Sequence, residues 1–218
     1  MSRKYEFTGE TKTELGVTLR RIVAVSEFAG VAVGDVGGWI ESDKNLAQSG
    51  NAWVSGNARV YGDAWVSGNA RVYGDAQVSG DAQVSGDAWV SGDAQVYGDA
   101  QVSGNARVYG DAWVSGDAQV SGDAWVSGDA RVYGDARVLF ACSETPCVLT
   151  GFPHVVTITD HHITVGCQSH CVSVWRERGQ AIIKADGHTT EHAKAWHAII
   201  MQIADAHGCV PQEKENNT

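Results

Sequence analysis

The side chains able to bind or react fall into two groups. Trp53, Arg71, Trp89, Arg107 and Trp125 follow one another at 18-residue intervals, with Trp and Arg in strict alternation. Two residues beyond each of these Arg stands a Tyr, Tyr73 and Tyr109, and two beyond each Trp stands a Ser. Indole faces stack on flat rings and on guanidinium groups, and a guanidinium pairs with phosphate or carboxylate. The second group lies after residue 153, where all eight His are found. It contains Gly166-Cys167-Gln168-Ser169-His170-Cys171, in which a Cys and a His three apart can share a metal. His161 or His162 could complete such a site, but zinc normally takes four ligands and only this half is explicit. A buried Cys167 with His170 capping the next helix is the simpler reading. No metal and no cofactor is expected, and His170 and Arg176 are retained as candidate ligand contacts.

The first group needs an element that stacks residues 18 apart. From Gly50 to Leu139 the chain repeats every six residues, as Gly, Asp or Asn, Ala, a variable residue, Val, and Ser or Tyr. Fifteen such units follow without an insertion. A period this short and strict means a solenoid. Ala-x-Val reads as a three-residue strand sending Ala and Val inward, and Gly-Asp or Gly-Asn is turn chemistry. Three strands and three corners make one triangular coil of 18 residues, so five coils stack at about 4.8 Å. The variable residues then form three chemically different columns. The one with Trp53, Arg71, Trp89, Arg107 and Trp125 can serve as a self-satisfying ladder or a subunit interface. Alternatively it is a platform for a flat, anionic ligand, with Trp on a base and Arg on phosphate.

The corners stack too. Eleven Asp and five Arg lie in the repeats, so six of the chain's ten net negative charges sit there. Plain turn chemistry explains the Asp columns better than calcium does, because the nine-residue calcium-binding repeat is absent. Net charge −10 argues against binding a phosphate backbone by bulk charge, so no direct nucleic-acid partner is expected. DNA mimicry by the acidic rod stays open as an alternative. With 43% hydrophobic and 19% charged residues, the chain has a globular composition. It has no apolar run of about 20 residues, so no membrane partner is expected. Five Cys behind a polar start read as reduced thiols of a cytoplasmic protein.

A solenoid needs closed ends. Residues 1–41 read as an N-terminal β cap, 42–140 as the β-helix, 141–152 as a connector and 153–218 as a small α+β domain. In that domain Val155–Thr159 and Ile163–Val165 form a hairpin around Asp160-His161-His162. A short helix carries Val172 and Trp175. Thr190 to His207 is the best helix, with Trp196, Ile199, Ile200, Ile203 and Ala204 as its apolar stripe.

The repeat resembles the hexapeptide-repeat, left-handed parallel β-helix proteins over Gly50 to Leu139. Its regular Gly-Asp-Ala-x-Val form, and the lead-in Gly37-Gly38-Trp39-Ile40-Glu41-Ser42, look most like the phage and prophage type. It departs in placing Ser or Tyr after the Val, where a small or acidic residue is usual. The resemblance implies the left-handed twist, a homotrimer, and an acyltransferase activity in the largest enzyme class on this fold. Those enzymes use a His between subunits, whereas no His precedes residue 154 here and no loop interrupts the repeats. The expectation is therefore a mainly β, non-enzymatic binding protein of a phage. It would hold an anionic, nucleotide-like signalling molecule in homotrimer clefts and so counter a host defence. Inhibition of a host protein, acyl transfer and a purely structural spacer are the alternatives.

Overall fold

The fold is described from a computed structural model, which describes residues 3–140, 145–149, 152–166 and 168–209. Strands β1 (Tyr5–Glu14) and β2 (Val17–Ala24) form an antiparallel hairpin, and β3 (Val36–Ile40) pairs with β2. The fifteen hexapeptides then supply fifteen two-residue strands, β4 to β18, from Trp53–Val54 to Arg137–Val138. Each strand is the variable residue and its Val, one residue shorter than expected, because the Ala contributes its carbonyl to the ladder rather than its N–H. In one unit, Arg71 N–H donates to the Ala88 carbonyl at 2.9 Å, Tyr73 N–H to Val90 at 3.0 Å and Asp75 N–H to Gly92 at 2.9 Å. Three stacked parallel sheets result, and residues 18 apart are direct partners: Trp53 with Arg71, Trp89 with Arg107, Arg107 with Trp125.

The period sets the core. Every repeat Ala from Ala52 to Ala136 and every repeat Val from Val54 to Val138 is at most 1% exposed. The glycines hold the corners at positive φ, as at Gly92 (φ +68), whose added Cβ would lie 2.9 Å from the next coil's Gly110 nitrogen. Only a residue without Cβ accepts both that dihedral and that approach. The four corner Asn also have a role the sequence reading passed over. Asn51, Asn57, Asn69 and Asn105 each donate from Nδ2 to Asn69, Asp75, Asp87 and Asp123, one coil further on. An Asp cannot donate there, so Asn57, Asn69 and Asn105, each facing an Asp, turn a like-charge contact into a hydrogen bond.

The five regular coils are preceded by an irregular sixth. Trp39 and Ile40 pair in parallel with Arg59 and Val60, and Leu46 bridges to Val66. Asn45 closes this coil by donating to the Gly62 and Ala64 carbonyls. The end is sealed by Tyr5, whose hydroxyl donates to Leu46 O at 2.9 Å, and by Lys4, whose Nζ donates to Ala52 O at 2.7 Å. Burial pushes the Lys4 ammonium down to about 8.

A second core lies beyond the last coil. Strands β19 (Cys147–Leu149), β20 (Val156–Ile158), β21 (His162–Val165) and β22 (Gln168–Cys171) form an antiparallel sheet. Helices α1 (Val172–Ala185) and α2 (Thr190–Ala206) pack on it around buried Trp175. Thus a strand lies inside the expected connector, and Gln168–Cys171 is a strand leading into a 14-residue helix. Of the expected stripe on α2, Ile200 and Ala204 are buried, but Ile199 is 44% exposed; Ala193 and Met201 point inward instead. Among the described residues, no helix is long and apolar enough to cross a membrane.

Candidate functional site

The Trp/Arg column forms as the 18-residue interval requires, but its residues do different work. At the capped end Trp53 is 5% exposed, with the Phe28 ring edge-on at 5.4 Å. Arg71 donates from Nη2 to the Ala29 carbonyl at 2.5 Å, within the turn that closes at Phe28 and Val31. These two side chains fasten the cap to the solenoid. Farther along, Arg107 lies between two indoles, its guanidinium carbon 5.1 Å from the Trp89 ring centre and 5.2 Å from that of Trp125. Tyr73 stands edge-on to Trp89 at 6.1 Å. Trp89 and Trp125 remain 39% and 46% exposed.

This sandwich leaves Arg107 in an unusual position. Its guanidinium carbon lies over a ring on either side, while no hydrogen bond or ion pair holds its N–H donors among the described residues. Arg59, by contrast, is ion-paired to Glu14 at 2.6 Å. Two shallow grooves run along the ridge. One, of about 240 Å³, is lined by Tyr73, Trp89, Ser91, Arg107, Tyr109 and Trp125, with hydroxyls and no carboxylate. The other is edged by Asp87, Asn105 and Asp123 and is therefore acidic. A related contact occurs on another side, where Arg131 lies 4.9 Å over Trp113 and Tyr97 meets Trp113 edge-on. No second Trp follows Arg131 in that column, so it is not sandwiched.

His170 and Arg176 belong to the C-terminal core. His170 meets Trp175 edge-on at 6.1 Å, and Arg176 is ion-paired with Asp205, tying α1 to α2. Cys167 lies outside the described residues, so the half-site with His170 has no structural account. The strand register does bear on its completion. His162 pairs with Cys171 across β21 and β22, while His170 pairs with Ile163. Alternation along a strand sends neighbours to opposite faces, so His162 and His170 face apart. His162 instead stacks on Phe140 of the last coil, with ring centres 3.7 Å apart and planes at 9°. Its Nδ1 is buried without a partner among the described residues. Burial, and then the charge of His161, hold its protonation below the ordinary 6.5.

Two further groups escaped the sequence reading. Cys171 stands at the N-terminal boundary of α1; its thiol lies 3.0 Å from the Ser173 hydroxyl, and that contact with nearby backbone N–H groups lowers its pKa. His154, Asp186 and His188 converge at the mouth of an apolar pocket between the sheet and the helices. His154 Nε2 is 2.7 Å and His188 Nε2 3.5 Å from the same oxygen, Asp186 Oδ2. No local motif signals this cluster, since 32 residues separate His154 from Asp186.

The stacked repeat and its geometry meet an independent likeness. The family described as YdcK beta solenoid repeat matches residues 52–68, 64–80, 82–98 and 100–116. This is a repeat β-helix protein. The chain is also similar to a curated protein of Escherichia coli strain K12, described as "Uncharacterized acetyltransferase YdcK". They are 40% identical over 60 residues, which is 24% of this chain. The chain matches only 18% of that protein's length.

Proposed function

We propose that the β-helix is a binding platform for a flat, anionic, nucleotide-like molecule, seated in the groove of Tyr73, Ser91, Arg107 and Tyr109. The observation that carries this reading is the Arg107 sandwich. Two indoles flank the guanidinium, and its donors are unpaired by protein among the described residues. A pre-positioned guanidinium edge suits bidentate pairing with phosphate or carboxylate, and exposed Trp and Tyr faces accept a base. Three chains packed side by side would deepen the groove into clefts. In a phage setting, such capture would withdraw a signalling nucleotide from a host defence. Trp53 and Arg71, committed to the cap, drop out of this site; His170 and Arg176 would act only from a neighbouring chain.

Native mass spectrometry before and after exposure to a cell nucleotide extract tests the reading. The expected result is a trimer that gains a discrete small mass, lost in Arg107→Ala. No gained mass, or equal gain by Arg107→Ala, would overturn it.

The likeness to a protein described as an acetyltransferase favours a second reading, acyl transfer. His154, oriented by Asp186 at 2.7 Å, is the side chain placed to take a proton from an acceptor. Steady hydrolysis or transfer from acetyl-coenzyme A, abolished by His154→Ala, would establish it.

A further inference from the structure

We infer that His154, Asp186 and His188 form a binding site for a divalent transition-metal ion of the zinc class. The three side chains come from two loops that the C-terminal fold brings together. His154 lies in the segment before β20, and Asp186 and His188 lie in the turn between α1 and α2. Their ligand atoms all fall within 4.8 Å of one another, and both imidazoles present Nε2 to Asp186 Oδ2. Tetrahedral ligands at zinc distances stand about 3.3 Å apart, so small side-chain shifts make room for an ion. Two neutral imidazoles and one carboxylate are a donor set that suits zinc, and a set of this composition also holds iron or cobalt.

Each ligand is held by something other than its partners. The His154 ring lies against the backbone of Gly166, where φ is +56 and an added Cβ would come 3.1 Å from Cγ. Asp186 caps α1, its N–H donating to the Ile182 carbonyl, and Gly187 at φ +92 turns the chain so that His188 follows on the same side. The His188 ring stands edge-on to Trp196 at 4.7 Å. A protein site of three ligands leaves a fourth position open. That position borders the apolar pocket lined by Phe152, Val165, Ile182 and Trp196, so a small ligand of the metal would sit against hydrocarbon.

The test uses the full chain, stripped with a chelator and titrated with Zn²⁺ by calorimetry and with Co²⁺ by visible absorption. The expected result is one ion per chain and a cobalt spectrum without a thiolate charge-transfer band. His154→Ala and Asp186→Asn should each weaken uptake by more than about 100-fold, beyond the effect of losing an outer-shell partner. Gly166→Ala should weaken it by about tenfold through displacement of His154. A variant with His170→Ala and Cys171→Ala should bind as the parent does. Circular dichroism of each variant confirms that it is folded. No stoichiometric uptake by the parent, unchanged uptake by folded His154→Ala, or a thiolate band would overturn the site.

Discussion

At the scale of single residues, similar side chains are set to different tasks by what surrounds them. Arg71 and Arg107 occupy one column, yet Arg71 spends its donor on a cap carbonyl and Arg107 keeps its edge open between two rings. The cysteines divide in the same way. Burial raises the thiol of Cys147 and pushes that of Cys209 up to about 11. Cys171 is shifted down by the Ser173 hydroxyl and the first N–H groups of α1. Thiolate is the nucleophile, so Cys171 should be alkylated by iodoacetamide ahead of Cys147 and Cys209 near neutral pH. Peptide mapping at short reaction times checks this; modification of Cys209 at an equal rate would contradict it.

At the scale of the element, one hexapeptide is a self-contained specification. Val enters the core, Ala leaves room at the bend, and Gly takes the left-handed corner against the next coil. Deleting two methyl groups by Val90→Ala should cost about 2 kcal/mol, from lost transfer and a small cavity. Gly92→Ala should cost at least about 1–2 kcal/mol from its dihedral alone, before the contact with Gly110 is relieved. Gln101→Ala, on the exposed face, should stay within about 0.5 kcal/mol of the parent. Urea unfolding followed by circular dichroism ranks the three, and equal stability of Gly92→Ala and Gln101→Ala would refute the corner argument. The elements that were read less well lack this redundancy. Gln168–Cys171 is polar and short, and it becomes a strand only because β21 offers an edge to pair with. On α2, Ile199 reads as core from its apolar character, yet the face covered by the sheet and α1 is the one bearing Ala193, Ile200 and Ala204.

At the scale of the molecule, two cores meet where the repeat ends. The solenoid core and the core around Trp175 are separate clusters. The stack of Phe140 on His162 joins them, as do hydrogen bonds from Arg131 N–H to Thr145 and from Arg137 N–H to Thr157. Protonation of His162 is disfavoured in the folded chain. The unfolded state then binds more protons around the ordinary 6.5. Its contribution to stability is therefore complete above that pH and is lost as pH falls through it. Thermal unfolding of the C-terminal region, followed by Trp fluorescence, should shift downward between about pH 7.5 and about pH 5.5. His162→Phe, which keeps a stacked ring and removes the titration, should reduce that shift. An unchanged shift in this variant would place the pH response elsewhere.

The strict six-residue period determined the solenoid, its core and its columns, because stacking equal coils leaves no freedom over which residues become neighbours. Local sequence thus carried Trp89, Arg107 and Trp125 into contact without any tertiary information. It did not determine which of them would be free, since the cap that occupies Trp53 and Arg71 folds back from some 40 residues away. The same limit applies beyond Leu139. His154, Asp186 and His188 share no period, and only the closure of one loop on another joins them. Short-range spacing drew attention to Cys167 and His170, whereas side-chain alternation in β21 and β22 turned His162 away from His170. Tertiary structure decided these sites because strand register and loop packing, unlike a repeat, follow from interactions that no short stretch of chain contains.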